Sequence, residues 1–268
     1  MKLFCAQISS TWEEPAETLE RAEVCISRAA REGGDLICFP EQFATGWDPS
    51  SMMHLQDISG PIPSRLRELA REYRIAILGS YRETGRSRPL NTAVAISSDG
   101  EVLGTYAKCH LFTPAHEDSV YSRGDTTTIF SVDGMKFGVA ICYDLRFTSL
   151  FRLYADAGVQ AVLVPAAWPE SRLDHWELFI RARAVEYQIY VAGINTTGVT
   201  PVDIYAGGSM VADPTGGLAC RAGREEELLS CELDRDFVER VRSAMPVILD
   251  RRDDLTVSDE PLNPGKHE

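Results

Sequence analysis

Positive charge is scarce in this sequence. Its 27 lysines and arginines face 40 aspartates and glutamates, a formal net charge of −13. A chain that grips nucleic acid or an anionic membrane presents a basic patch, so neither is expected as a partner. A small anionic ligand stays open, because one local arginine can outweigh a distant acidic surface. Nowhere is there a run of about 20 apolar residues, the length that spans a bilayer. The amino terminus, "MKLFCAQISSTWEEP", turns acidic by position 13 and does not read as a secretion signal. The seven cysteines contain no C-x-x-C pair, so neither a disulfide framework nor a zinc knuckle is indicated. A reduced, cytoplasmic setting is the expectation. There is no internal repeat and no low-complexity stretch. What is present is an ordinary soluble composition, 44% hydrophobic and 25% charged, long enough for a sizeable core.

Strand-like and helix-like patterns alternate along the chain. "KLFCAQI", "DLICFP" and "IAILGSY" read as strands. The spacing of Ala22, Ile26 and Ala29 reads as a helix closed by Gly33-Gly34. "SRLRELAREY" reads as a helix capped by Ser64. Hairpins are expected at "SDG" and "VDGM". "VQAVLVP" and "IYVAGIN" are further strands, and between them "DHWELFIRARAVEY" is a helix with Asp174 and Glu177 at capping-box spacing. The strands "GGSMVAD", "GLACRA" and "ELLSCEL" follow, then a helix near 235–244. This order predicts a single layered α/β domain over 1–268.

Three chemically capable residues each follow a strand-like run directly: Glu41 after "LICFP", Lys108 after "VLGTYA" and Cys142 after "FGVAI". Strand ends are where sites of α/β sheets collect. Singly, each has a plainer explanation, since a Glu or Lys there is commonly a solvated loop residue and a free cysteine commonly packs in a core. Jointly they suggest a thiol nucleophile with a base and a cation.

"FPEQFATGW" (39–47), "KCHLF" (108–112) and "GVAICYDLRF" (138–147) resemble the three motif blocks of the nitrilase superfamily of carbon–nitrogen hydrolases. The resemblance implies a four-layer α-β-β-α sandwich, with 246–268 as a carboxyl-terminal arm. It implies Cys142 as nucleophile, Glu41 as proton acceptor, Lys108 as oxyanion stabiliser and Glu117, in "AHEDSVYSRGD", as a supporting glutamate. Lys108 and the backbone N–H of Tyr143 would hold the oxyanion, and the Lys108 ammonium would lower the thiol pKa. Arg146, Tyr143 and Trp168 are candidate substrate-binding residues, and no metal or cofactor is called for. His110, His116, His175 and Cys109 are expected to be structural, His110 bracing the lysine loop.

"CYDLRF" and "HLFTPAHEDSVYSRGD" are most similar to the ω-amidases, which hydrolyse monoamides of dicarboxylic 2-oxo acids such as 2-oxoglutaramate. An N-carbamoyl amino acid hydrolase is the alternative. A thiol redox protein and a catalytically silent scaffold are alternatives outside the class. The superfamily also implies a homodimer or higher homo-oligomer.

Overall fold

The computed structural model describes residues 1–252 and 254–256. The chain begins with β1 (Lys2–Gln7), α1 (Pro15–Arg31), β2 (Leu36–Cys38), α2 (Pro61–Tyr73), β3 (Ala76–Glu83), β4 (Leu90–Ile96) and β5 (Val102–Ala107). It continues through α3 (Glu117–Val120), β6 (Ile129–Val132), β7 (Met135–Val139), α4 (Thr148–Asp156), β8 (Ala161–Ala166), α5 (Leu173–Tyr187) and β9 (Tyr190–Asn195). Last come the hairpin β10 (Thr197–Val199) and β11 (Ile204–Ala206), then β12 (Met210–Ala212), β13 (Leu218–Arg221), β14 (Glu227–Glu232) and α6 (Arg235–Ala244).

Two six-stranded sheets form, in the orders β14-β1-β2-β3-β4-β5 and β13-β12-β9-β8-β7-β6. The period of two along each strand sorts side chains between layers. Phe4, Ile37, Ile77 and Val94 face α1 and α2, where Leu19, Ile26, Leu66 and Leu69 meet them. Their neighbours Leu3, Cys5, Leu36, Leu78 and Ala93 point the other way, into a cluster shared with Phe137, Val139 and Leu163 of the second sheet. Beyond that sheet lie α4 and α5. Gly138 admits the Tyr154 ring of α4, which passes 2.6 Å from where a Cβ would stand. With both faces covered, the inner strands β1, β2, β8 and β9 read as near-continuous apolar runs. The layers are helix, sheet, sheet, helix, as the superfamily resemblance implies.

Strand direction brings the site together. β1, β2 and β3 run parallel, while β4 is antiparallel to β3 and β5 to β4. The start of β4 and the end of β5 therefore share an edge with the end of β2, so Asn91, Lys108 and Glu41 gather there. β7 and β8 are parallel, and their ends deliver Cys142 and Ala167 to the same region.

Some local expectations are corrected. The second helix starts at Pro61, whose ring pre-sets the first turn, so Ser64 lies inside it and its hydroxyl reaches the Ser59 carbonyl at 2.8 Å. α5 starts at Leu173 without a side-chain cap. Asp174 thus sits in the first turn, and Glu177 pairs instead with Arg221 at 2.8 Å. α4 and the β10–β11 hairpin were not anticipated. Of the carboxyl-terminal arm, residues 253 and 257–268 lie outside the described residues. Among the described residues no helix is long and apolar enough to cross a membrane.

Candidate active site

Glu41, Lys108 and Glu117 are all at most 1% exposed. Charges taken that far from water must satisfy one another. The Lys108 Nζ donates to Glu41 Oε1 at 2.8 Å and to Glu117 Oε2 at 2.9 Å. Asn91 Nδ2 donates to Glu41 Oε1 at 2.7 Å and Glu117 Oε1 at 3.1 Å, clamping the two carboxylates. The remaining oxygen of Glu41 takes the Ala167 N–H at 3.0 Å. Glu117 Oε2 also takes the Phe112 N–H at 2.7 Å.

Burial works against the Lys108 ammonium, but the Glu117 and Glu41 carboxylates outweigh it and hold its pKa well above the usual lysine value. Burial likewise opposes charge on Glu117, yet Lys108 and the Phe112 N–H bring its pKa below the usual carboxylate value. Lys108 and Glu117 thus hold each other in their charged forms at neutral pH.

Cys142 opens a short 3₁₀ turn, Cys142–Arg146, with φ at +47°. Non-glycine residues rarely adopt this left-handed backbone, and it occurs where a turn sets up a functional side chain. The thiol faces Glu41. Burial pushes its pKa well above the ordinary thiol value, Glu41 adds to the rise, and Lys108 only partly opposes them. Lys108 does favour the thiolate, as expected, but burial and the Glu41 carboxylate outweigh it.

The turn is fastened from below. Asp144, fully buried, accepts from Ile141 N–H at 2.9 Å, Tyr106 Oη at 2.8 Å and His110 N–H at 2.8 Å, with His110 Nδ1 also 2.8 Å away. His110 stacks on Phe147 at 3.8 Å, so it does brace the lysine loop, against the cysteine turn. Asp144→Ala would strand two buried donors, the Ile141 N–H and the Tyr106 hydroxyl, each costing about 1–3 kcal/mol, and free the part-buried His110 N–H. Its unfolding midpoint and its kcat should fall together; an unchanged midpoint in thermal denaturation would contradict this role.

Above the thiol opens a cavity of about 260 Å³. Cys142 and Lys108 line it, as do all three candidate binding residues, Tyr143, Arg146 and Trp168. The Arg146 guanidinium lies 4.9 Å from the Trp168 ring centre and 5.1 Å from that of Phe179. Its Nη2 is 3.3 Å from His175 Nδ1, and among the described residues no carboxylate pairs with it. Trp168 is fixed by Asn195, whose Oδ1 takes its backbone N–H at 2.7 Å.

The sequence reading missed Asn91, the Ala167 N–H, Arg172 and Tyr205. Asn91 had a legible signal, a polar amide at the head of the apolar strand "LNTAVAIS". Arg172 and Tyr205 come from separate segments whose meeting follows from the tertiary fold.

A sequence model described as "Carbon-nitrogen hydrolase" matches residues 3–243. The chain belongs to that family. As a carbon–nitrogen hydrolase it is 34% identical over 255 residues to the 2-oxoglutaramate amidase of Bacillus subtilis, covering 94% of this chain and 98% of the relative. It is 31% identical to omega-amidase NIT2 of Homo sapiens, covering 95% of each. Among solved structures, Saccharomyces cerevisiae Nit3, described as a member of branch 10 of the nitrilase superfamily, superposes with a TM-score of 0.85 at 30% identity, over 92% of this chain and 94% of that one. A Nesterenkonia amidase variant, described as showing Michael addition of acrylamide at its active-site cysteine, gives 0.80 at 29% identity, over 92% and 98%. The chain is an enzyme of amide hydrolysis.

Proposed function

We propose that this hydrolase is an ω-amidase, releasing ammonia from a monoamide whose far end carries a carboxylate, of the 2-oxoglutaramate kind. One observation carries the substrate class: a cavity lined by the Cys142 thiol holds, at Arg146, a guanidinium with no acidic partner among the described residues. A planar guanidinium takes a carboxylate through two parallel hydrogen bonds. The relatives named above as amidases of such acids support the reading.

The chemistry follows from the resting charges. Cys142 is the nucleophile, and because its proton is held by burial and by Glu41, attack and deprotonation go together. Glu41 takes the proton as sulfur bonds to the amide carbon. Lys108 and the Tyr143 backbone N–H stabilise the oxyanion. Glu41 then gives the proton to nitrogen, the C–N bond breaks and ammonia leaves a thioester. A water deprotonated by Glu41 attacks the thioester, and the acid departs as the thiol is restored. Glu117 keeps Lys108 charged and aimed throughout.

A coupled ammonia assay over 2-oxoglutaramate, succinamate, N-carbamoyl amino acids and simple nitriles tests the class. Carbon dioxide released with the ammonia would favour the carbamoyl reading. Arg146→Lys should cost about ten- to a hundred-fold in kcat/KM on carboxylate-bearing amides, the worth of a charged hydrogen bond, and much less on neutral amides of equal length. Equal losses would make Arg146 structural. The expected pairing of two copies is supported by apolar side chains left exposed on α5, Leu178 and Val185; light scattering at assay concentration would check it.

A further inference from the structure

The cavity holds a second guanidinium that the carboxylate does not account for. Arg172 ends the 3₁₀ turn Glu170–Arg172 and lines the cavity with Arg146. Its backbone is fixed, since Trp168 Nε1 donates to the Arg172 carbonyl at 2.7 Å. Its side chain is seated too, the guanidinium lying 5.3 Å from the Phe112 ring centre. Among the described residues no carboxylate pairs with it. Trp168 therefore serves both arginines, presenting its face to Arg146 and anchoring Arg172 by its indole N–H.

Two nearby cations are costly without an anionic ligand, and one carboxylate satisfies a single guanidinium in bidentate fashion. Burial and the Arg172 charge both hold the Arg146 pKa below the usual arginine value, so the two guanidinia do sense each other. The buried Tyr205 also lines the cavity. One acid, Asp203, also lines the cavity, with Oδ1 taking the Ile204 N–H at 2.8 Å. Two guanidinia against one carboxylate leave surplus positive charge, which calls for an anionic ligand rich in oxygen acceptors.

We propose that Arg172 is a specificity-determining residue, binding an oxygen acceptor adjacent to the carboxylate held by Arg146. Such a site takes 2-oxo acid monoamides in preference to plain dicarboxylic monoamides. It turns away amides with an ammonium at that carbon, because a cation there would face two guanidinia. Glutamine, which differs from 2-oxoglutaramate only at that carbon, is thereby excluded by charge. The inference rests on the ω-amidase reading and adds to it the group that reads the second carbon.

The experiment compares 2-oxoglutaramate, glutaramate and L-glutamine with wild type and Arg172→Leu, which removes the guanidinium from beside Phe112 and leaves an apolar side chain in its place. Wild type should prefer the oxo acid to glutaramate by at least about ten-fold in kcat/KM, as a hydrogen bond to a charged group warrants, and leave glutamine untouched. In Arg172→Leu the oxo-acid rate should fall by about ten- to a hundred-fold, mainly through KM, with glutaramate nearly unchanged. Arg172→Lys, keeping the charge, should restore part of the preference. Equal losses on both acids, no loss on either, or glutamine turnover by wild type would overturn the proposal. If wild type hydrolyses neither acid but does act on neutral amides, the ω-amidase reading itself fails.

Discussion

Cys142→Ala should release no measurable ammonia from any amide and still fold. Loss of a covalent nucleophile costs on the order of a million-fold in kcat where a hydrolase depends on it. Stability should be nearly untouched, for specific reasons. The side chain only partly contributes to the core cluster between the sheets, and alanine carries the backbone φ of +47° no worse than cysteine. Asp144 holds the turn through the Ile141 N–H at 2.9 Å, which the substitution leaves alone. In wild type, a slowly turned-over substrate should leave an acyl mass on the peptide containing Cys142. Residual turnover in the alanine variant above a few parts in a million would refute the thioester route.

Lys108→Met should be damaged twice, in turnover and in folding. Its stem volume is kept, but two buried carboxylates lose the cation between them. Removing one partner of a buried pair typically costs about 3–5 kcal/mol. The pH dependence gives a sign. In wild type, Lys108 has a raised pKa, so its contribution is present below the unfolded lysine value and lost only as pH rises through the folded one. Glu117 has a lowered pKa, so its contribution is present above the unfolded carboxylate value and lost as pH falls through the folded one. The wild-type arrangement is therefore intact across the neutral range. Without Lys108 the buried carboxylates favour protonation, so the deficit should be largest near neutrality and shrink as pH falls toward the unfolded carboxylate value of about 4.3. Thermal unfolding of both proteins at about pH 5.5 and 7.5 checks this, and a gap that does not change with pH would mean that Lys108 does not hold Glu117 ionised. Thiol alkylation should also slow, because the one charge that favours the Cys142 thiolate is gone.

Much of the fold is legible because apolar runs and turn residues are local signals. The strands that end at Cys38, Ala107 and Val139 are such runs, and the residues just past them are Glu41, Lys108 and Cys142. Helix starts were less legible where two local signals compete: at Pro61 and Ser64 the proline sets the first turn and the serine is absorbed. α4 is nine residues long and follows a 3₁₀ turn, too short a stretch for its periodicity to stand out. The Ala167 N–H on Glu41 carries no sequence mark, being backbone from a distant segment. For the thiol, sequence shows the lysine's charge, which favours the thiolate, but not the burial and the Glu41 proximity that outweigh it.

The Glu41–Ala167 hydrogen bond joins the end of a strand in one sheet to the end of a strand in the other, and Asp144 makes a second such tie through His110 and Tyr106. The Cys142 thiol hangs from one sheet, the Glu41 carboxylate and the Lys108 ammonium from the other. Neither sheet alone carries a weakened version of the machinery, so chemistry is a property of their docking. Selection for turnover thus acts also on the seam between the sheets, including apolar residues that never approach a substrate.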